Sequence, residues 1–313
     1  MKSSRILLIS SLILLASGLF FMLFNSNGNW DFVLPFRGKK LLLLLTIAYT
    51  IGVSTLLFQT LTNNPILTPS ILGFDSLYLL IQTLLVFLIG GVGFTQLNIS
   101  GKFAFETLLM LAAALLLFRT LTRDNADIAR MLLIGVVFGV FFRSVNNLLQ
   151  RMIDPEEFAV AQSSSFASFN NANPTLLTIG IAIAVLTVIW IWTQRHKLDV
   201  IMLGKHKAIG LGINYNRFSH QLLICCALLV SVSTALVGPI LFLGLLVCAI
   251  VNAISPTMQH SVRIPLTFII SAITLVLGQA VFEQLFKLQG VLSVVIEFTG
   301  GIVFIYLMLK KQK

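Results

Sequence analysis

The sequence predicts an all-α, multi-pass membrane protein, and three observations carry that expectation. Apolar stretches close to the ~20 residues that a helix needs to cross a bilayer core fill nearly the whole 313-residue chain, about ten of them. Only 10% of the residues are charged and 57% are hydrophobic, so a soluble fold would have to expose most of this surface to water. The stretches do not alternate with period two, which argues against the strands of a membrane barrel. The expectation is a single transmembrane domain over residues 1–313, with too little left over for a soluble catalytic domain.

The spans follow in order. The first covers 5–24; Lys2 and Arg5 precede it as in a signal peptide, but the run is long for one and no clean cleavage site follows, so it is expected to be retained. A polar stretch with Trp30 leads to the second span, 41–61, which stops at Asn63-Asn64-Pro65. The third is 71–92, the fourth 103–121 and the fifth 131–152. Asp154-Pro155-Glu156-Glu157 opens a Ser/Asn-rich segment that ends at Asn173. The sixth span is 174–193, and a basic connection, 194–217, precedes the seventh at 218–237. Gly238-Pro239 breaks the chain before an eighth run to Ile254, then come a ninth at 264–286 and a tenth at 291–309.

An even number of spans puts both termini on one side. Placing them in the cytoplasm collects Lys2, Arg5, the arginines of 119–130, the basic 194–217 connection, Arg263 and the tail lysines inside. Only Arg37, Lys39, Lys40, Lys102, Arg151 and Lys287 then fall outside, as the positive-inside rule favours. The net charge of +10 is thus read as loop anchoring and contact with anionic membrane lipid, not as nucleic-acid binding. Cys225, Cys226 and Cys248 lie within apolar runs without Cys/His ligand spacing, so neither a metal site nor a disulfide framework is expected. No phosphate-binding loop is present, so any driving ATPase is a separate chain. No cofactor is expected.

Several polar groups stand out. Arg37 and Lys40 lie three apart on the outer side, as headgroup anchors or as a docking patch for an acidic partner. Arg143, Asn146, Asn147 and Gln150 recur at helical spacing in the fifth span and are expected to share one face, toward a cavity or a partner, with snorkelling of Arg143 or hydrogen bonding between helices as the alternatives. Glu106 and Glu297 are further intramembrane candidates. The segment 203–212 is short, partly apolar and flanked by basic residues, which suits a helix lying on the inner face against a partner's groove.

Three motifs occur in order. Asn64-Pro65-Ile66-Leu67-Thr68-Pro69-Ser70-Ile71-Leu72-Gly73, with Gln59 upstream, resembles the N-P-L-A-x-P-x-x-L-G signature of the iron-chelate uptake permeases, the family that includes the vitamin B12 importer permease. Leu203-Gly204-Lys205-His206-Lys207-Ala208-Ile209-Gly210-Leu211-Gly212 resembles its L-G-x-x-x-A-x-x-L-G. Gly238-Pro239-Ile240-Leu241-Phe242-Leu243-Gly244-Leu245 resembles its G-P-I-x-F-V-G-L. The resemblance covers most of the chain. It implies a type II ABC importer permease that works with a second permease subunit, expected here as a heterodimer, two ATPase subunits and a periplasmic binding protein.

On the same resemblance, Leu203, Gly204, Lys205, Ala208, Leu211 and Gly212 belong to the coupling helix. Arg37 and Lys40 match basic residues that pair with binding-protein carboxylates. Arg143 and its neighbours border the translocation path in the bacterial inner membrane. The stretch 162–171 resembles a subgroup that carries ferric siderophores, particularly catecholates; haem and cobalamin are the alternatives within the family. Departures exist: Cys248-Ala249 and Asn252 stand where Pro-His and Arg are usual, and Lys287-Leu288-Gln289-Gly290 replaces E-L-P-x-G. An ion-coupled secondary transporter using Arg143, Glu106 and Glu297 is the alternative from another class. An intramembrane enzyme is disfavoured, because the histidines fall in or near expected loops.

Overall fold

The computed structural model describes residues 2–24, 30–122, 128–163, 166–170, 173–285 and 292–311. The segment Lys287 to Gly290, Ser164, Ser165, Asn171 and the terminal Lys313 lie outside the described residues. The helices are α1 (Lys2–Leu23), α2 (Trp30–Thr62), α3 (Phe74–Gln96), α4 (Ile99–Thr122), α5 (Ile128–Met152) and α6 (Pro155–Ser163). They continue with α7 (Pro174–Ile201), α8 (Lys205–Gly210), α9 (Tyr215–Val237), α10 (Leu243–Ile254), α11 (His260–Ala280) and α12 (Leu292–Lys311). A 3-10 turn, Pro69–Leu72, precedes α3, and a π-helical turn, Val281–Leu285, continues α11.

Each apolar run read from the sequence is a helix. Eight helices among the described residues are long and apolar enough to cross a membrane, and α10 and α12 occupy the eighth and tenth of the expected runs. The eighth run differs most. Its helix, α10, has 12 residues and rises only about 18 Å, roughly half a bilayer core. The reason is the Gly238-Pro239 break, which keeps α10 from starting until Leu243. In contrast, α2 has 33 residues and begins at Trp30 rather than near 41, running through Pro35 and the basic residues.

The core is organised around α2, which packs against α1, α7, α9, α10 and α11. Its two halves enter two apolar clusters. One contains Val53, Leu56, Leu57 and Phe58 with residues of α9; the other contains Leu43, Leu44 and Ile47 with residues of α11. Outside this centre, α3 packs on α5 and α6, and α4 on α9. The polar stretch after α6 is no free loop. Phe169 and Ala167 are buried, and Ser168 N–H donates to Val237 O at 2.7 Å.

Candidate functional site

The first motif builds a turn back into the bundle. The α2 helix closes with Asn63 in the left-handed region (φ 49°) while Asn64 N–H bonds back to Gln59 O at 3.2 Å, a Schellman ending. Gln59 Nε2 donates to Pro65 O at 2.7 Å, and Asn64 Oδ1 accepts from Ile66 N–H at 3.1 Å. Pro69 starts the 3-10 turn that ends at Leu72 and Gly73. Gly73 has φ +88°, and a Cβ there would sit 2.7 Å from Gly139 Cα in α5. Only glycine meets both demands. Because Gly139 lies about 17 Å along α5, α3 starts near mid-bilayer.

The third motif does the same from the other side. Gly238 and Pro239 end α9, and Gly244 brings the first turn of α10 against Thr55 of α2. The two breaks meet. Ser70 and Asp75 from the first, Ile240 and Leu241 from the second, and Ser54 and Ser233 border one small void of about 10 Å³. Asp75 is buried there close to Ser70, and its Oδ2 has no partner among the described residues. Arg143 and Glu297 lie close enough to act on it electrostatically. The sequence reading found Arg143 and Glu297 but missed Asp75, whose signal was a lone acid directly after the Leu72-Gly73 motif.

The polar stripe of α5 is split rather than uniformly directed. Arg143 and Asn147 are exposed, Gln150 is half-buried and Asn146 is buried with an unpartnered Oδ1. The stripe is wide enough to straddle the edge of the packed side. Glu106 lies between α4 and α3. It is buried, accepts from Gln82 Nε2 at 2.6 Å and has Lys102 Nζ at 3.8 Å, so it pins α4 to α3.

The second motif forms α8. Gly204 precedes it, Ala208 is its buried contact, and Lys205 is half-buried. Leu203, Ile209 and Leu211 are exposed. Gly212 N–H bonds Ile209 O at 2.9 Å and Ile213 N–H bonds Ala208 O at 3.1 Å, which requires the observed φ of +84° at Gly212. Next to this end, Asp199 Oδ1 accepts from both the backbone N–H and the Nδ1–H of His260, each at 2.7 Å, while His260 Nε2 lies 2.8 Å from Thr60 Oγ1. The chain ties α7 to α11 and α2. Sequence reading missed it because the partners are remote in sequence and His260 was assigned to a loop; His196 and His220 too lie within helices α7 and α9.

At the opposite end Arg37 and Lys40 are engaged within the chain, unlike the free pair expected. Arg37 Nη1 donates to the carbonyls of Phe21, Met22 and Phe24 at 3.1, 3.0 and 2.7 Å, capping α1. Lys40 is buried, pairs with Glu283 of the π turn and donates to Asn170 Oδ1 at 2.6 Å. The residue between them that remains exposed is Lys39.

The FecCD transport family pattern matches residues 6–310, which includes every element of the two breaks and α8. The chain belongs to the FecCD transport family. It is a multi-pass permease subunit of an ABC importer and not itself an ATPase. It is 46% identical over 310 residues to the petrobactin import system permease protein YclO of Bacillus subtilis, covering 99% of this chain and 98% of that protein. It is 35% identical over 262 residues to the petrobactin import system permease protein FatC of Bacillus anthracis, covering 83% of this chain and 74% of that one. A solved inward-facing structure of a metal-chelate type ABC transporter superposes with a TM-score of 0.85 at 20% identity, covering 98% of this chain and 99% of that chain. The expected fold, that of the vitamin B12 importer permease, therefore holds.

Proposed function

We propose that the permease moves a ferric siderophore of the petrobactin type across the bacterial plasma membrane. The observation that carries this reading is the identity, along almost the full length of both chains, with a permease for petrobactin. Its partners are a second permease subunit, two ATPase subunits and an extracytoplasmic binding protein, with both termini in the cytoplasm. Exposed Leu203, Ile209 and Leu211 give α8 an apolar surface for the ATPase groove. Arg143, an exposed cation on a membrane helix, faces the path shared with the second permease, with Asn147, Gln150 and Glu297 nearby, because lipid would not tolerate it there. At the other end the steering charge for the binding protein is Lys39; Arg37 and Lys40 shape that surface from beneath.

The test is uptake of ferric petrobactin into liposomes holding the whole complex. ATP-dependent uptake is expected. Gly212→Val should leave insertion intact and lower uptake by about a hundredfold, because a branched residue resists the positive φ that orients α8. Uptake by the purified chain without an ATPase would replace this reading by an ion-coupled transporter. Uptake of haem or cobalamin with none of ferric petrobactin would overturn the substrate.

A further inference from the structure

A second, larger cavity lies at the α8 end of the bundle, about one turn of α2 beyond the small void. Its volume is about 580 Å³, in the range of small-molecule sites. It opens between the end of α2, the loop after it, Met202 just before α8, and the end of α10. Ala249, Met258, Ile66 and Met202 give it apolar walls.

One wall residue lacks what a buried charge needs. Arg263 is only 5% exposed. Its Nη2 donates to the neutral amide oxygen of Asn252, and its Nη1 faces the thioether of Met202 at 3.8 Å. Its Nε has no partner, and no carboxylate pairs with the guanidinium among the described residues. Asp199, the acid that also binds the start of α11, is taken up by the two hydrogen bonds from His260. A desolvated guanidinium is stable when an anion answers it, and its planar fork suits a carboxylate or phosphate. Gln59, also 5% exposed and lining the same cavity, has an unpartnered Oε1 that would accept from a protonated head group.

We propose that this cavity binds a small amphiphilic anion drawn from the membrane. Its carboxylate or phosphate head meets Arg263, first through the remaining Nη hydrogens, and its apolar body lies along Met202, Ala249 and Met258. The proposal does not depend on which chelate is carried. An occupant would press on Met202, the residue from which Leu203 and α8 continue, so occupancy stiffens the segment that carries the ATPase contact. Asn252 decides the outcome. An acid at that position would neutralise Arg263 from within; the amide leaves the charge for a ligand.

The experiment titrates the full-length chain, in phosphatidylcholine nanodiscs, with radiolabelled dodecanoate, with dodecyl phosphate and with dodecanol. Saturable binding of one or both anions and none of the alcohol is expected. Arg263→Gln and Asn252→Asp should each weaken the anion by about tenfold or more, since a charge-assisted hydrogen bond is lost. Asn252→Asp keeps the shape of the wall and adds an internal ion pair, so its fold is retained and its result is readable even if Arg263→Gln fails to fold. Equal binding by wild type and Asn252→Asp would overturn the proposal. So would the absence of saturable anion binding by wild type; if Asn252→Asp then also assembled poorly with the ATPase, the counter-ion would be a carboxylate of that subunit.

Discussion

Two membrane helices of similar sequence character, α2 and α5, have opposite surroundings. Of the most apolar 18-residue window, 83% is buried in α2 and 17% in α5. The α2 helix carries Thr50, Ser54, Thr55, Gln59 and Thr60 into the centre of the bundle, several of them bonded to carbonyls one turn back. The α5 helix turns Leu133, Val137, Phe138, Val140 and Phe141 outward and touches the bundle along one side, through Met131, Gly135, Gly139, Phe142 and Asn146. Apolarity alone therefore does not say which membrane helix is core. Lipid rewards the same side chains as a protein interior, and only polar residues that need partners, or glycines that need close approach, mark the buried side. By that criterion α2 is the axle of the subunit and α5 is its face toward something else.

The largest test of this contrast acts where the two regions are joined. Gly73→Val should cost about 4 kcal/mol, because it combines a forbidden φ with a collision against α5. Loss of the monodisperse peak on heating in detergent reads it; a stable variant would mean that α3 does not start against α5. Next is Leu56→Ala in α2, fully buried, with an expected cost of about 3 kcal/mol in the same assay. Arg143→Ala should leave melting within about 0.5 kcal/mol and lower uptake in the whole complex by about tenfold. Normal uptake would make Arg143 a snorkelling residue and remove the path from this side of α5. The smallest effect is that of Leu133→Ala, within about 0.5 kcal/mol for the isolated chain. A clear loss appearing only in the assembled transporter would identify α5 as covered by the second permease.

Much of this was legible beforehand. The apolar helices, the stops at Asn63-Asn64-Pro65 and Gly238-Pro239 and the short helix within 203–212 follow from local chemistry, and local chemistry is what a single sequence exposes. The half-length of α10 was hidden, because an apolar run does not reveal at what depth it begins. The engagement of Lys40 by Glu283 and Asn170, and of Asp199 by His260, was hidden for another reason: the partners are remote in sequence and no spacing rule links them. Arg37 shows the limit most clearly. Its position suggested an outward charge, yet the carbonyls at the end of α1 were the nearer claim on it.

The starts of α3 and α10 at mid-depth have a mechanical consequence. Near each, the chain is held by side-chain and packing contacts instead of a continuous ladder of helical bonds: Gln59 on Pro65, Gly73 against Gly139, Gly244 against Thr55. A helix bends only by tearing its own ladder, whereas such a junction turns by exchanging a few partners. The subunit thus contains two joints side by side at the centre of the bilayer, with α2 as the post between them. Rigid segments above and below can tilt independently there while every long helix keeps its length.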